Sequence, residues 1–203
     1  MTVERFTLIF DLDETLIHVS NDGSNADAYI PVKLKDGRTF KVTIDLLKLG
    51  IHVRPFMKDI LTRFKPTCEL VVWTAGHPEY ANLVIDFIDP DKTLFDIRLF
   101  RDQCYISPKG LYIKDLRMIN RDLDKCIIVD NALYSFGFQL ENGVLILPFL
   151  GEVNDSELLL LGEYLAHLMK TEDLRKFNAR HFRYAELSKA EDLRSVKSLL
   201  FNL

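Results

Sequence analysis

Apolar residues in this chain fall into short unbroken runs separated by amphipathic stretches. Four runs, 6–10 (FTLIF), 69–73 (ELVVW), 126–129 (CIIV) and 144–147 (VLIL), have the near-continuous apolar character of strands covered on both faces by helices. Between and after them, 55–64, 78–87 and 155–169 carry apolar residues at helical spacing, and the last opens on Asp155-Ser156-Glu157, suited to the positive end of a helix dipole. Segments 172–178 and 185–200 read as further helices packed on the outside, a C-terminal helical tail over about 171–203. The alternation predicts an α/β domain with a parallel sheet, one domain over 1–203.

Residues 20 to 50 break this rhythm. After a polar loop at Asn21, Asp22, Gly23, Ser24 and Asn25, YIPVKL and TFKVTI flank a turn at Lys35-Asp36-Gly37-Arg38. Val32 and Leu34 alternate with Pro31 and Lys33, and Phe40, Val42 and Ile44 with Lys41 and Thr43, the pattern of a half-exposed hairpin. A small β-hairpin insertion just after the first strand would lie at that strand's carboxyl edge, as a flap.

Composition narrows the function classes. The chain has 203 residues, 48% of them hydrophobic, enough for a sizeable core, and a formal net charge of −4 that argues against nucleic-acid binding. The start, MTVERF, leaves no room for a signal peptide before the first strand, and no apolar run approaches the roughly 20 residues of a bilayer span. Cys68, Cys104 and Cys126 form no CxxC pair and suit a reducing, intracellular compartment, nuclear or cytoplasmic. The sequence leaves the oligomeric state open.

Chemistry gathers at the ends of the strands, where open α/β sheets bind their ligands. The first strand runs into Asp11-Leu12-Asp13-Glu14-Thr15, the second into Thr74, the third into Asp130-Asn131, and Lys114 lies between the last two. Each piece alone reads as a turn, a cap or a surface lysine. Together they supply what phosphoryl transfer requires: a nucleophile, neutralisation of the phosphoryl oxygens and a proton for the leaving group. Asp11 can attack phosphorus, and Asp13 can protonate the departing oxygen and later deprotonate water. Thr74 and Lys114 can hold phosphoryl oxygens. Mg²⁺ suits Asp11, the Asp13 carbonyl and Asn131, since it prefers hard oxygen ligands and keeps several waters.

DLDETLIH, WTAG, YIKDL and IIVDN, in this order, resemble the four motifs of the haloacid dehalogenase (HAD) phosphatases. More closely they resemble the branch holding the small RNA polymerase II C-terminal-domain phosphatases, Dullard and the nuclear LIM-interactor-interacting factor proteins. Arg54-Pro55, Phe100-Arg101-Asp102-Gln103-Cys104, Asn120-Arg121-Asp122-Leu123 and Asp155-Ser156-Glu157-Leu158 extend the resemblance over nearly the whole chain. It implies a Rossmann-like parallel sheet flanked by helices (the HAD fold), with a small β insertion. It also implies a Mg²⁺-dependent serine/threonine phosphatase acting through an aspartyl phosphate on a phosphorylated protein or peptide, with the polymerase tail as one such substrate. Asp11 would be nucleophile and Asp13 acid/base, Thr74 and Lys114 phosphate ligands, and Asn131 a direct metal ligand. Asp130 would act through water or by orienting Lys114, and Thr15 by tying the Asp13 loop to the helix beyond it.

The likeness thins around the substrate. Asn21 stands where the small polymerase phosphatases carry an aromatic, and His77 where an apolar residue is usual, while Tyr80 keeps the partner aromatic. Tyr29, Phe40, Tyr80 and Arg101 form the expected peptide pocket, with little preference for proline beside the phosphate. Three other readings stay open: a receiver domain, a binding-only relative, and a small-molecule phosphatase of the same superfamily. Against the last, an insertion of about thirty residues is small for a cap and leaves the site open to a protein loop or tail.

Overall fold

The computed structural model describes residues 5–20, 28–32 and 47–187. Its centre is a five-stranded parallel sheet in the order β10-β9-β1-β5-β6, formed by β1 (Phe6–Phe10), β5 (Cys68–Trp73), β6 (Ile97–Leu99), β9 (Cys126–Asp130) and β10 (Gly143–Leu145). The central strand β1 pairs with β5 through Phe6↔Cys68 to Phe10↔Val72, and with β9 through Thr7↔Cys126 to Phe10↔Val129. Strand alternation divides the core. Leu8, Phe10, Leu70, Val72, Ile127 and Val129 face one side, while Ile9, Val71, Trp73 and Ile128 face the other.

Three helices cover the first face: α1 (Met57–Phe64), α2 (Pro78–Ile88) and α3 (Glu157–Leu168). In α1 the buried residues Met57, Ile60, Leu61 and Phe64 follow the i, i+3, i+4, i+7 spacing of one helix stripe. α3 lies close against it at Gly162, where an added Cβ would come within 2.4 Å of the Ile60 side chain. The second face was expected to carry helices as well. The C-terminal helical region supplies them, packing Ala179, Phe182 and Tyr184 there, and short 3₁₀ turns that deliver Leu116 and Phe136 complete the cover.

Helices α4 (Leu174–His181) and α5 (Tyr184–Leu187) pack on the outside of the sheet, against its edge strand β10. Asn178, fully buried, donates to the carbonyls of Glu141 (2.9 Å) and Gly143, and accepts from the Tyr164 hydroxyl at 2.7 Å. The Tyr184 hydroxyl also donates to Gly143 O, at 2.6 Å. These donors occupy edge carbonyls that would otherwise stand unpaired. The remainder of the helix expected over 185–200 lies outside the described residues beyond 187.

Among the described residues the insertion forms three antiparallel strands in the order β2-β4-β3, where one hairpin was expected. β4 (Leu47–Val53) pairs with β2 (Ile17–Ser20) through Ile17↔Val53, and with β3 (Ala28–Val32) through Ala28↔Ile51 to Val32↔Leu47. The first expected arm therefore finds its partner at 47–51. The second, Phe40 to Ile44, lies outside the described residues. β2 follows a tight turn after β1 in which Leu16 and Ile17 both donate to Leu12 O, so the insertion springs from the carboxyl edge of the central strand. A short pair, β7 (Tyr105–Ile106) with β8 (Tyr112–Ile113), leads into Lys114.

Candidate active site

Asp11 stands one residue past β1, and its N–H extends the ladder to Val129 O at 2.9 Å. Its carboxylate is thereby fixed at the carboxyl edge, beside the end of β9. Lys114 reaches the same point from the loop after β8, its own N–H held by Ser135 O at 2.6 Å. The ammonium bridges two carboxylates, 2.5 Å from Asp11 Oδ1 and 2.7 Å from Asp130 Oδ2. The other Asp130 oxygen accepts the Ala132 N–H at 2.8 Å. All three side chains are buried.

Asp13 completes the cluster from the other side. Its Oδ2 accepts the Thr74 hydroxyl at 3.0 Å, and its Oδ1 accepts the Tyr80 hydroxyl. Thr74 Oγ1 in turn accepts the Gly76 N–H at 2.8 Å. Asn131 follows β9, and the Thr15 hydroxyl faces its Oδ1 at 3.5 Å.

Two carboxylates thus share one ammonium, with the Asp13 charge acting on Asp11 from the other side, and the titration of the buried pair reflects it. Burial, then the Asp130 charge, raise the Asp11 carboxyl to about 7; Asp13 adds to the rise, while Lys114 opposes it. Burial alone would strip the proton from Lys114, but Asp11 and Asp130 outweigh it and hold the ammonium charged well above its usual range. The Tyr80 phenol is likewise pushed upward, first by burial and then by Asp13, so it remains a donor.

The structure brings Asp11, Asp13, Thr74, Lys114 and Asp130 together, with Asn131 and Thr15 adjoining. Three residues make contacts other than those expected. Thr15 does not tie its loop to a helix through its hydroxyl; the tie runs through its carbonyl. Arg54 Nη1 donates to Thr15 O at 3.2 Å, and the same guanidinium grips Asp155 through two 2.8 Å bonds just before α3. Tyr80, expected in the peptide pocket, turns its hydroxyl to Asp13. Arg101 folds back on the loop after β5, with Nε on Ala75 O and Nη1 on His77 Nε2, both at 2.6 Å, and its guanidinium over the Tyr112 ring. Tyr29 sits on β3 opposite Gly50, while Phe40 and Asn21 lie outside the described residues.

Sequence reasoning missed the partnership of Arg54 with Asp155 and that of Tyr80 with Asp13. For the first, a signal was present: an arginine and a helix-start aspartate, both within stretches that resemble the family. For the second, nothing in the spacing distinguished a phenol aimed at a carboxylate from one aimed at solvent.

Comparison with known proteins fits this geometry. The family described as NLI interacting factor-like phosphatase matches residues 6–175. The chain is 39% identical over 162 residues to CTD small phosphatase-like protein 3 of Caenorhabditis elegans, covering 79% of this chain and 53% of that protein. It is 40% identical over 170 residues to a probable C-terminal domain small phosphatase of Dictyostelium discoideum, covering 83% and 52%. With the mouse carboxy-terminal domain RNA polymerase II polypeptide A small phosphatase 2 it shares 37% over 171 residues, covering 84% and 60%. The chain therefore spans little more than half the length of these relatives. Among solved structures it superposes on a variant of the fission yeast RNA polymerase II CTD phosphatase Fcp1 bound to beryllium fluoride. The TM-score is 0.55 at 20% identity, covering 91% of this chain and 56% of that one, a likeness of fold.

Proposed function

The chain belongs to the NLI interacting factor-like phosphatase family, and from that premise we propose that it hydrolyses phosphate monoesters on protein serine or threonine, with Asp11 as nucleophile and Asp13 as acid and base. The observation that carries this reading is the arrangement about Asp11. One of its oxygens is held by Lys114, while its other oxygen meets no protein donor among the described residues. An Asp11 oxygen attacks phosphorus as the ester P–O bond breaks, and Asp13 gives its proton to the departing serine or threonine oxygen. Asp13, now a carboxylate, takes a proton from the water whose oxygen attacks phosphorus, and the Asp11–phosphorus bond breaks to release phosphate. Lys114 and Thr74 hold phosphoryl oxygens through both steps, and Asp130 keeps Lys114 in place.

The donor set also fits a magnesium ion. Asp11 and Asp130 set two carboxylates against the single Lys114, and burial together with the Asp130 charge raises the Asp11 carboxyl. Among the described residues no group of three or more His, Cys, Asp or Glu side chains is placed to hold a metal. The set assigned here needs only one carboxylate, that of Asp11, with the Asp13 carbonyl, the Asn131 amide and water. Bound there, Mg²⁺ would neutralise phosphoryl charge.

The substrate is a phosphorylated protein segment, and the named activity of the relatives makes the polymerase C-terminal domain the first to try. We read the chain as a single catalytic domain interrupted by the β2-β4-β3 sheet. No helix among the described residues is long and apolar enough to cross a membrane, and the three unpaired thiols suit the nucleus or cytoplasm. Phosphate release from a phosphoserine peptide panel that includes polymerase repeats tests the reading. Chelation should silence it and Mg²⁺ restore it, while Ca²⁺, which takes more ligands and would engage both Asp11 oxygens, should support little. Full turnover in excess chelator would overturn the metal assignment, and no turnover of any phosphopeptide with Mg²⁺ would overturn the function.

A further inference from the structure

We propose that Tyr80 is a positioning residue for Asp13, its hydroxyl holding one carboxylate oxygen while the other is left to serve the leaving group. The inference rests on the reading of Asp13 as acid and base. Both Asp13 oxygens are engaged in the structure, but by unlike donors. Thr74 is assigned to a phosphoryl oxygen, so its hydroxyl must leave Asp13 Oδ2 when the substrate phosphate arrives. Nothing in the reaction asks the same of Tyr80. Its hydroxyl remains on Oδ1, and the carboxylate keeps one fixed oxygen and frees the other.

The surroundings are built for that contact. Tyr80 lies in the first turn of α2, which begins at Pro78, and its ring packs against the main core, so both backbone and ring are fixed. Gly76 makes the approach possible. A Cβ there would come within 3.1 Å of Thr74 Oγ1 and 3.2 Å of the Tyr80 ring, crowding the two donors that meet at Asp13. A tyrosine that served only to contact peptide would have no need to spend its hydroxyl inward.

Tyr80→Phe keeps the ring and removes the donor, so it tests the contact without emptying the site. The assay compares kcat/KM for a small alkyl phosphate with that for a small aryl phosphate of good leaving group. Neither substrate reaches a peptide pocket, and kcat/KM reports the first phosphoryl transfer, in which the alkyl ester depends far more on the acid. Tyr80→Phe should lower kcat/KM for the alkyl ester about tenfold, the scale of one hydrogen bond to a charged group, and for the aryl ester less than about threefold. In an Asp13→Asn background the same substitution should add no further loss, because the group it positions no longer transfers a proton. Equal losses on both esters, no loss on either, or losses that multiply with Asp13→Asn would each overturn the inference. The two readings fail differently. If Asp13→Asn itself loses equally on both esters, the acid role of Asp13 falls and the inference with it. If Asp13→Asn discriminates between the esters and Tyr80→Phe does not, only the inference falls.

Discussion

Two buried ion clusters flank the loop that carries Asp11 and Asp13, and they are built to opposite ends. Arg54 and Asp155 form a closed pair of one cation and one anion. The carboxylate is gripped by two 2.8 Å bonds, one of its oxygens also accepts the Glu157 N–H, and the guanidinium lies over the Phe149 ring. Its remaining reach goes to Thr15 O. Lys114 instead stands between Asp11 and Asp130, and burial together with the Asp130 charge raises the Asp11 carboxyl. A matched pair with its donors and acceptors filled fixes geometry and asks for nothing more. A cluster with excess negative charge and an unengaged carboxylate oxygen is prepared for positive charge and for an electrophile. The first holds the loop in place; the second is the cluster to which we assign the chemistry.

The sharpest contrast is in turnover. Asp11→Asn should cut phosphopeptide hydrolysis on the order of 10⁴-fold or more while leaving the fold intact, since the amide keeps the shape and loses the nucleophile. Near-normal turnover would erase the distinction between the clusters. Next comes stability. Arg54→Ala breaks the closed pair and leaves Asp155 without its partner, at a cost of about 3–5 kcal/mol read by denaturant unfolding. Replacing both members, Arg54→Met with Asp155→Leu, should recover most of that loss, because a matched apolar pair needs no counter-charge. If the double replacement is as unstable as the single one, the Arg54 bond to Thr15 O matters more than the ion pair.

The smallest effect carries the opposite sign. In chelator, Asp11→Asn should stabilise the protein by about 1–2 kcal/mol, because it removes part of the excess charge. The pH dependence follows from the raised carboxyl. A carboxyl near 7 in the folded chain and near its ordinary 3.8 when unfolded binds its proton more tightly when folded, so its contribution to stability is lost as pH rises between those values. Wild type should lose stability over that window relative to the Asn variant. Parallel unfolding curves across the window would show that Lys114 alone satisfies Asp11.

Much of this was legible in the sequence, and the exceptions have physical reasons. The strand ends at Phe10, Trp73 and Asp130 could be read from unbroken apolar runs, which placed Asp11, Thr74 and Asn131 on one edge. Lys114 could be placed only between motifs, because it comes from a loop whose path no periodicity sets. β4 was passed over although Leu47, Leu49, Ile51 and Val53 alternate with Lys48, Gly50 and His52; a glycine mid-run and the stronger turn signal at Asp36-Gly37 drew the hairpin elsewhere. Arg54 and Asp155 are separated by 101 positions, so although each sits in a stretch that resembles the family, only the tertiary structure pairs them. The same holds for Tyr80, whose helix could be read while the inward aim of its hydroxyl could not.

We assign the phosphoryl group to Asp11 alone among the carboxylates of the cluster. Acid quenching during turnover of a phosphoserine peptide with Mg²⁺, followed by peptide mass spectrometry, tests it most directly. The account predicts an added phosphoryl mass on the peptide containing Asp11, lost on hydroxylamine treatment and absent from Asp11→Asn. Phosphate trapped on Asp13 or Asp130 instead, or rapid turnover with none trapped on Asp11 at any quench time, would contradict it.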